Sequence, residues 1–357
     1  MVAWWFGMKY WRREPVAKKW WIIMLQVALI FLLTIWFINI FYRFDGSLED
    51  FGDYSFVSKR LSAIDNQHPL LASLPVPLPK QFVIGIDTQI IDFEDYRQLS
   101  YLAGEWRDRG WWHYYVYGLL VKWPHGTQVL LLLAVLMSIF WRKVRPSRDE
   151  WVLIIPALSV LVAVSSQLEF NMHFRYVLPF VGLAFVFIGK VALLMDERLF
   201  WRVAVLLLIA LSTASSLVNY PHSLAYFNEL SGGTKNGHKH MLHSAIDWGQ
   251  DLTYLKRWLE ANPEIELDGL AYFGGFDPSA IGINAPRPPV DPDSPSASWA
   301  NSSRIGFQPG WYALSINSLW SACGEYAHFR HLTPVATAGR TIHIYHVKPE
   351  ECGNQSE

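Results

Sequence analysis

Three apolar runs in succession, Trp151–Phe170, Tyr176–Met195 and Trp201–Tyr220, constrain this chain more than any other feature. Each is about 20 residues long, the length an α-helix needs to cross a hydrocarbon core of roughly 30 Å. Short polar turns separate them, so neighbouring runs must be antiparallel. One turn carries Asn171, His173 and Arg175; the other carries Asp196, Glu197, Arg198 and Arg202. The two turns are expected on opposite sides of a bilayer.

Composition agrees. Of 357 residues 52% are hydrophobic, only 17% are charged, and 18 are Trp. That suits a polytopic membrane protein with aromatic belts at its interfaces. The formal net charge of −1 offers no basic surface for nucleic acid. Trp20–Tyr42 reads as a first span, too long for a signal-peptide core and followed by no small-residue cleavage site. Its flank holds Lys9, Arg12, Arg13, Lys18 and Lys19, which puts residues 1–19 in the cytoplasm. Residues 43–112 are then an extracytoplasmic loop, with a strand over Gln81–Ile91 and a weak helix over Tyr96–Arg107.

The ring-rich Trp111–Tyr117 stretch fits an interfacial helix over 113–126, ended by Lys122-Trp123-Pro124. A second span follows over 127–141, stopped by Arg142, Lys143, Arg145 and Arg148. With the block over 151–220 this gives five transmembrane helices. The N-terminus is cytoplasmic and residues 221–357 form a small extracytoplasmic α/β domain. In that domain Asp247 and Gln250 resemble a capping box, opening a helix with an apolar stripe of Leu252, Leu255 and Leu259. Leu267–Phe273, Trp311–Asn317 and Thr341–Val347 read as strands, and Pro286–Pro309 as a mobile loop. There is no internal repeat.

Several groups could carry chemistry. Arg175 at the mouth of a span could fork two hydrogen bonds onto a phosphate, or snorkel to fix helix depth. Glu169 is expected beside it as a partner, and Lys190 as a snorkelling residue. Glu49, Asp50 and Asp53 could act as a general base or hold a cation, or simply solvate a loop. His238, His240 and His243 cluster in sequence but lack the further ligands of a closed zinc site. Asp251 lies one turn beyond the cap and also suits a helix's first turn. Cys323 and Cys352 are either a disulfide or two free thiols. Asn301-Ser302-Ser303 matches a glycosylation sequon.

A resemblance enters with the run Leu224-Ala225-Tyr226-Phe227-Asn228-Glu229-Leu230-Ser231-Gly232-Gly233, then Asn236-Gly237-His238 and Asp247-Trp248-Gly249-Gln250-Asp251-Leu252. These resemble bacterial membrane glycosyltransferases of the dolichyl-phosphate-mannose protein mannosyltransferase-like group, which have a GT-C fold. Phe174-Arg175-Tyr176-Val177-Leu178-Pro179 and Gly104-Glu105-Trp106 with Gly110-Trp111-Trp112 extend the likeness over nearly all of the chain.

The resemblance implies transfer of a sugar from a polyprenyl-phosphate donor to an acceptor at the outer membrane face. It implies inner-membrane location, and membrane lipid and the lipid-linked donor as partners. A divalent cation is the one cofactor it allows, in the full-length family. The chain matches the later part of the family's bundle, so a missing N-terminal half and an inactive isolated chain are expected. The family's catalytic acidic pair is not carried onto Glu49 or Asp50. Arg175 and His173 become candidates for the lipid phosphate. Glu105, Trp106, Asp247, Trp248, Gln250 and Asp251 are motif residues without an assigned role. His243 and Ala245 depart from the family's Asp and Asn. The alternative is a non-catalytic, membrane-anchored glycan- or partner-binding protein; a transporter ranks last, because charged groups are nearly absent from mid-span.

Overall fold

The computed structural model describes residues 20–94, 99–144, 146–147, 150–168, 171–299 and 304–352. Two compact units emerge, Met1–Arg97 and Gln98–Glu357.

The first unit holds α1 (Trp20–Phe41), α2 (Lys59–Gln67), α3 (Pro69–Ala72) and α4 (Lys80–Glu94). α1 has 22 residues and exposes almost its whole apolar surface, as a lipid-facing helix must. Its one buried residue, Asn39, donates to Ile35 O (2.9 Å) and Pro77 O (3.0 Å). Residues 80–94 are helical, which corrects the strand read over Gln81–Ile91. The β-branched residues Val83, Ile84 and Ile86 favour a strand locally. Two carboxylates at helical spacing explain the outcome. Asp87 accepts from Val57 N (2.7 Å) and Ser58 N (3.0 Å), and Glu94 accepts from Lys59 N (2.7 Å) and Arg60 N (2.8 Å). Both acids thus satisfy the open N–H groups at the start of α2, a placement its dipole also favours. Burial alone would raise the Asp87 carboxyl, but bonds from the Ser58 hydroxyl and the two amides hold it below its ordinary value. Glu49 pairs with Lys80 at 2.8 Å, and Asp50 bridges Pro75 through the backbone.

The second unit begins with a hairpin, β1 (Ser100–Leu102) and β2 (Glu105–Arg107), with Tyr101 opposite Trp106. This corrects the helix expected to run to Arg107; residues 95–98 lie outside the described residues. Then come α5 (Tyr114–Lys122), α6 (His125–Phe140), α7 (Trp151–Ser166), α8 (Leu178–Ile188) and α9 (Leu199–Val218). 3-10 turns lengthen α8 into a continuous helical run, Phe174–Asp196. α5 and α6 are bent by 119°. Pro124 causes the elbow: it has no N–H to donate and drives Trp123 to an extended ψ of 140°.

The five spans read from the sequence therefore become three: Trp20–Phe41, Phe174–Asp196 and Leu199–Val218, or four if the bent α5–α6 pair counts as one. α7 has 16 residues, about 24 Å of helix at 1.5 Å per residue, short of the roughly 30 Å core. α7 packs on α8, and α6 on α9. Thr127 Oγ1 donates to Ser212 Oγ at 3.1 Å across the second pair. Lys190 pairs with Glu150 (3.1 Å) and donates to Ser138 Oγ (2.9 Å), so it is held by partners rather than reaching for solvent.

The globular part of this unit is a sheet of order β3-β4-β6-β5, formed by Gly269–Ala271, Gly310–Ser315, Ile342–Val347 and Ala336–Ala338. β3 and β4 are parallel and the other pairs antiparallel. The period of two splits the apolar residues cleanly. Leu270, Ala313, Ala338, Ile342 and Ile344 meet Leu252 and Leu255 of α10 (Leu252–Ala261). On the other face Tyr312, Leu314, Tyr345 and Val347 meet Leu319 of α11 (Ile316–Leu319), Tyr326 and Phe329. Among the described residues of the Pro/Ser-rich stretch, Val290 bridges Ile305.

Asp87→Ala strands two buried-side N–H groups at the start of α2. Loss of hydrogen bonds to a charged group costs about 1.5–3 kcal/mol. Limited proteolysis of the full chain in detergent should show cleavage within residues 43–94 accelerated accordingly, with the sheet domain unaffected.

Candidate functional site

The run from Leu224 to Gly233 closes the C-terminal end of α5. Asn228 Nδ2 donates to Leu120 O (2.6 Å) and Trp123 O (3.0 Å), carbonyls left open by the helix end. The Lys122 ammonium has three donors and three carbonyl acceptors: Leu224 O (3.0 Å), Tyr226 O (3.0 Å) and Ala245 O (2.5 Å). Around it a core of Tyr114, Tyr115, Val177, Phe227, Met241 and Leu242 joins the helices to the loop that carries the Asp-Trp-Gly-Gln-Asp run.

That run is not a capping box, which corrects the sequence reading. α10 starts at Leu252, after the run, and no side chain caps it. Gln250 Oε1 instead accepts from Trp248 N (2.7 Å), and its amide donates to Ile246 O (3.1 Å). Asp247, 1% exposed, accepts from Gly249 N (2.9 Å) and from the Ser315 hydroxyl at the end of β4. Asp251, fully buried, accepts on Oδ2 from Arg340 N (2.6 Å), Thr341 N (2.8 Å) and Thr341 Oγ1 (2.9 Å). Its Oδ1 lies 3.3 Å from His222 Nδ1, without the alignment of a hydrogen bond. Gly249 (φ +83°) and Gly339 (φ +64°) are required here: a Cβ would overlap the Tyr272 hydroxyl at the first and the Asp251 carboxylate at the second. The two aspartates therefore fasten this loop to the sheet.

Trp248, between them, is 51% exposed and faces the other way. The Arg175 guanidinium carbon lies 5.9 Å from its ring centroid and 5.7 Å from that of Tyr176, within cation–π range. His173 stands against both Trp248 (5.7 Å) and Tyr176 (5.6 Å), and its Nδ1 is 2.6 Å from Ser244 Oγ. Phe273, just past β3, closes the group at 5.9 Å from Trp248. The site is an exposed guanidinium framed by aromatic rings, at the start of the helical run Phe174–Asp196.

Of the sequence candidates, the structure thus gathers Arg175, His173 and Trp248. Trp106 joins through His243, whose ring it meets edge-on at 5.3 Å. Glu105 does not join: it pairs with Arg107 at 2.9 Å, both exposed, a contact of little energetic weight. Glu169 and the sequon at 301–303 lie outside the described residues. The three histidines read together in the sequence separate. His240 bonds Tyr117 Oη (2.6 Å) and Ser231 O (2.8 Å), and His238 stacks on Trp320. Among the described residues no three His, Cys, Asp or Glu side chains group as metal ligands. Cys323 is an exposed free thiol.

Sequence reasoning missed the supports of this site. His243 adopts φ +55°, an uncommon backbone state outside glycine. Asn317 holds it there, accepting from His243 N (2.7 Å) and donating to His243 O (3.3 Å) and Asp247 O (3.0 Å). Burial, then the neighbouring His173, pushes His243 down to about 4, so it is neutral at pH 7. In the sequence His243 is marked by the histidine cluster and by its departure from the pattern of the family that the chain resembles. Phe273 and Asn317 reach the site across the fold and left none.

Comparison with protein-family models, curated proteins and solved structures gives no match to this chain.

Burial raises the Asp247 carboxyl from 3.8 to about 6, against the Ser315 and Gly249 bonds that lower it and with the Asp251 charge adding to the rise. A raised carboxyl contributes stability below pH 3.8 that is lost as pH climbs through 6. Asp247→Asn escapes that loss. Its stability relative to wild type should improve by about 3 kcal/mol between pH 3.5 and 7, at 1.36 kcal/mol per unit. Denaturant midpoints of both proteins across that range check the slope.

Proposed function

We propose that this chain is a membrane glycosyltransferase-like protein whose Arg175 site receives the phosphate of a polyprenyl-phosphate-linked sugar. In this reading the N-terminus is cytoplasmic, residues 221–357 face outward from the inner membrane, and the site lies at the outer face. The observation that carries it is the framing of Arg175 by Tyr176 and Trp248 at the start of an apolar helix. A guanidinium forks onto phosphate oxygens, and the rings give the neighbouring isoprenoid and sugar flat apolar faces.

The role is recognition rather than bond making. Glu49 is paired with Lys80, and Asp247 and Asp251 are buried in the joint with the sheet. None of these stands free as an acid–base pair, so the chain alone is expected to transfer no sugar.

In nanodiscs, quenching of tryptophan fluorescence by polyprenyl phosphate should weaken about tenfold or more in Arg175→Ala and by less in Arg175→Lys, which keeps charge but loses the fork. Glu105→Ala should bind as wild type. Equal affinity in Arg175→Ala, or equal affinity for unphosphorylated polyprenol, sinks the assignment. Sidedness is tested separately: a membrane-impermeant maleimide should label Cys323 from outside intact cells.

A further inference from the structure

A second cavity lies in the sheet domain, of about 550 Å³, within the roughly 300–1,000 Å³ range of small-molecule sites. It opens beside the carboxyl ends of the parallel strands β3 and β4, where open α/β sheets place ligands. Its wall holds two carboxylates, Asp277 and Glu325, one guanidinium, Arg287, one amide, Asn284, and two phenols, Tyr272 and Tyr326.

These groups narrow the occupant. Asp277 accepts from Ser279 N (3.0 Å) and from the Ser279 hydroxyl, and Glu325 accepts from Ser296 Oγ (3.0 Å); with about four lone-pair sites to a carboxylate, each is oriented and keeps acceptor capacity. Two acids against one base leave a net negative wall, which disfavours a phosphate or carboxylate ligand. Arg287 in the same wall disfavours a simple cation. The polar lining suits no acyl chain, unlike the two apolar cavities of about 360 and 250 Å³ between the helices.

A wall with acceptor-only carboxylates, a donor-only guanidinium, a two-way amide and the Tyr272 phenol, left as an acceptor by its bond to Gly249 O, matches vicinal hydroxyls, each of which donates and accepts. The tyrosine rings add apolar faces for sugar C–H groups. Burial, then Glu325, pushes the Tyr326 phenol up, so its hydroxyl keeps its proton.

We infer that this cavity binds a neutral saccharide unit. The inference goes beyond the lipid-phosphate reading of Arg175 and gives the glycan-binding alternative a location. The two sites share a wall: Tyr272 Oη donates to Gly249 O at 3.2 Å, and the next residue, Phe273, packs on Trp248.

The full chain in nanodiscs is titrated with methyl glucoside, methyl mannoside, N-acetylglucosamine and maltose, with glucosamine and inorganic phosphate as charged probes. Binding is read by saturation-transfer NMR and calorimetry. At least one neutral sugar should bind, with affinity falling about tenfold in Asn284→Ala and in Glu325→Gln, and unchanged in Arg175→Ala. Asn284 is exposed, so its variant should melt with the wild type and serves if the other misfolds. No binding of any neutral sugar to the wild type overturns the inference. So does binding of glucosamine or phosphate alone, or wild-type affinity in the folded cavity variants. Because Arg175→Ala is expected to retain sugar binding, failure of the lipid-phosphate reading leaves this result untouched.

Discussion

Two buried carboxylates hold the globular half of this molecule in register with its helices. Asp247 grips Ser315 where β4 ends, and Asp251 grips Arg340 and Thr341 where β6 begins. The loop is thus fastened to the ends of two neighbouring strands. Because a buried acceptor without its donors is costly, the arrangement tolerates little slack. The position of Trp248 is a by-product: with its neighbours turned inward and bound, its ring has only the outward direction left.

This separation of duties explains why the most distinctive stretch of sequence carries both anchoring and recognition. The acids are consumed by structure. The aromatic and cationic groups, Trp248, Tyr176 and Arg175, remain on the surface facing a single spot. His243 is the strained member of the frame, kept at positive φ by two bonds to the Asn317 side chain, which also bonds Asp247 O. Backbone strain of this sort persists only where the surroundings over-determine it.

The apolar runs were plain in the sequence, because hydropathy over 20 residues needs no knowledge of neighbours. Their division into full spans was not, because the elbow at Pro124 and the length of α7 depend on where each helix actually stops. Residues 80–94 misled because Val83, Ile84 and Ile86 weigh toward a strand, whereas Asp87 and Glu94 act only once α2 is present. The cap read at Asp247 failed similarly: a local pattern was met, but Ser315, some 70 residues on, outbid the helix for the carboxylate. At the site, Arg175, His173 and Trp248 were legible through a resemblance of motifs. Phe273 and Asn317 were not, since nothing in their own stretches marks them.

The Lys122 cradle bears on biogenesis. Its three carbonyl acceptors come from Leu224, Tyr226 and Ala245, 102 to 123 residues downstream. A ribosome must therefore release four more apolar helices, α6 to α9, before this ammonium finds its resting place. Until then the α5 elbow stays provisional, its charge served by water or headgroups. The final seating of the amphipathic helix is consequently one of the last events of assembly, although its residues are among the earlier ones made.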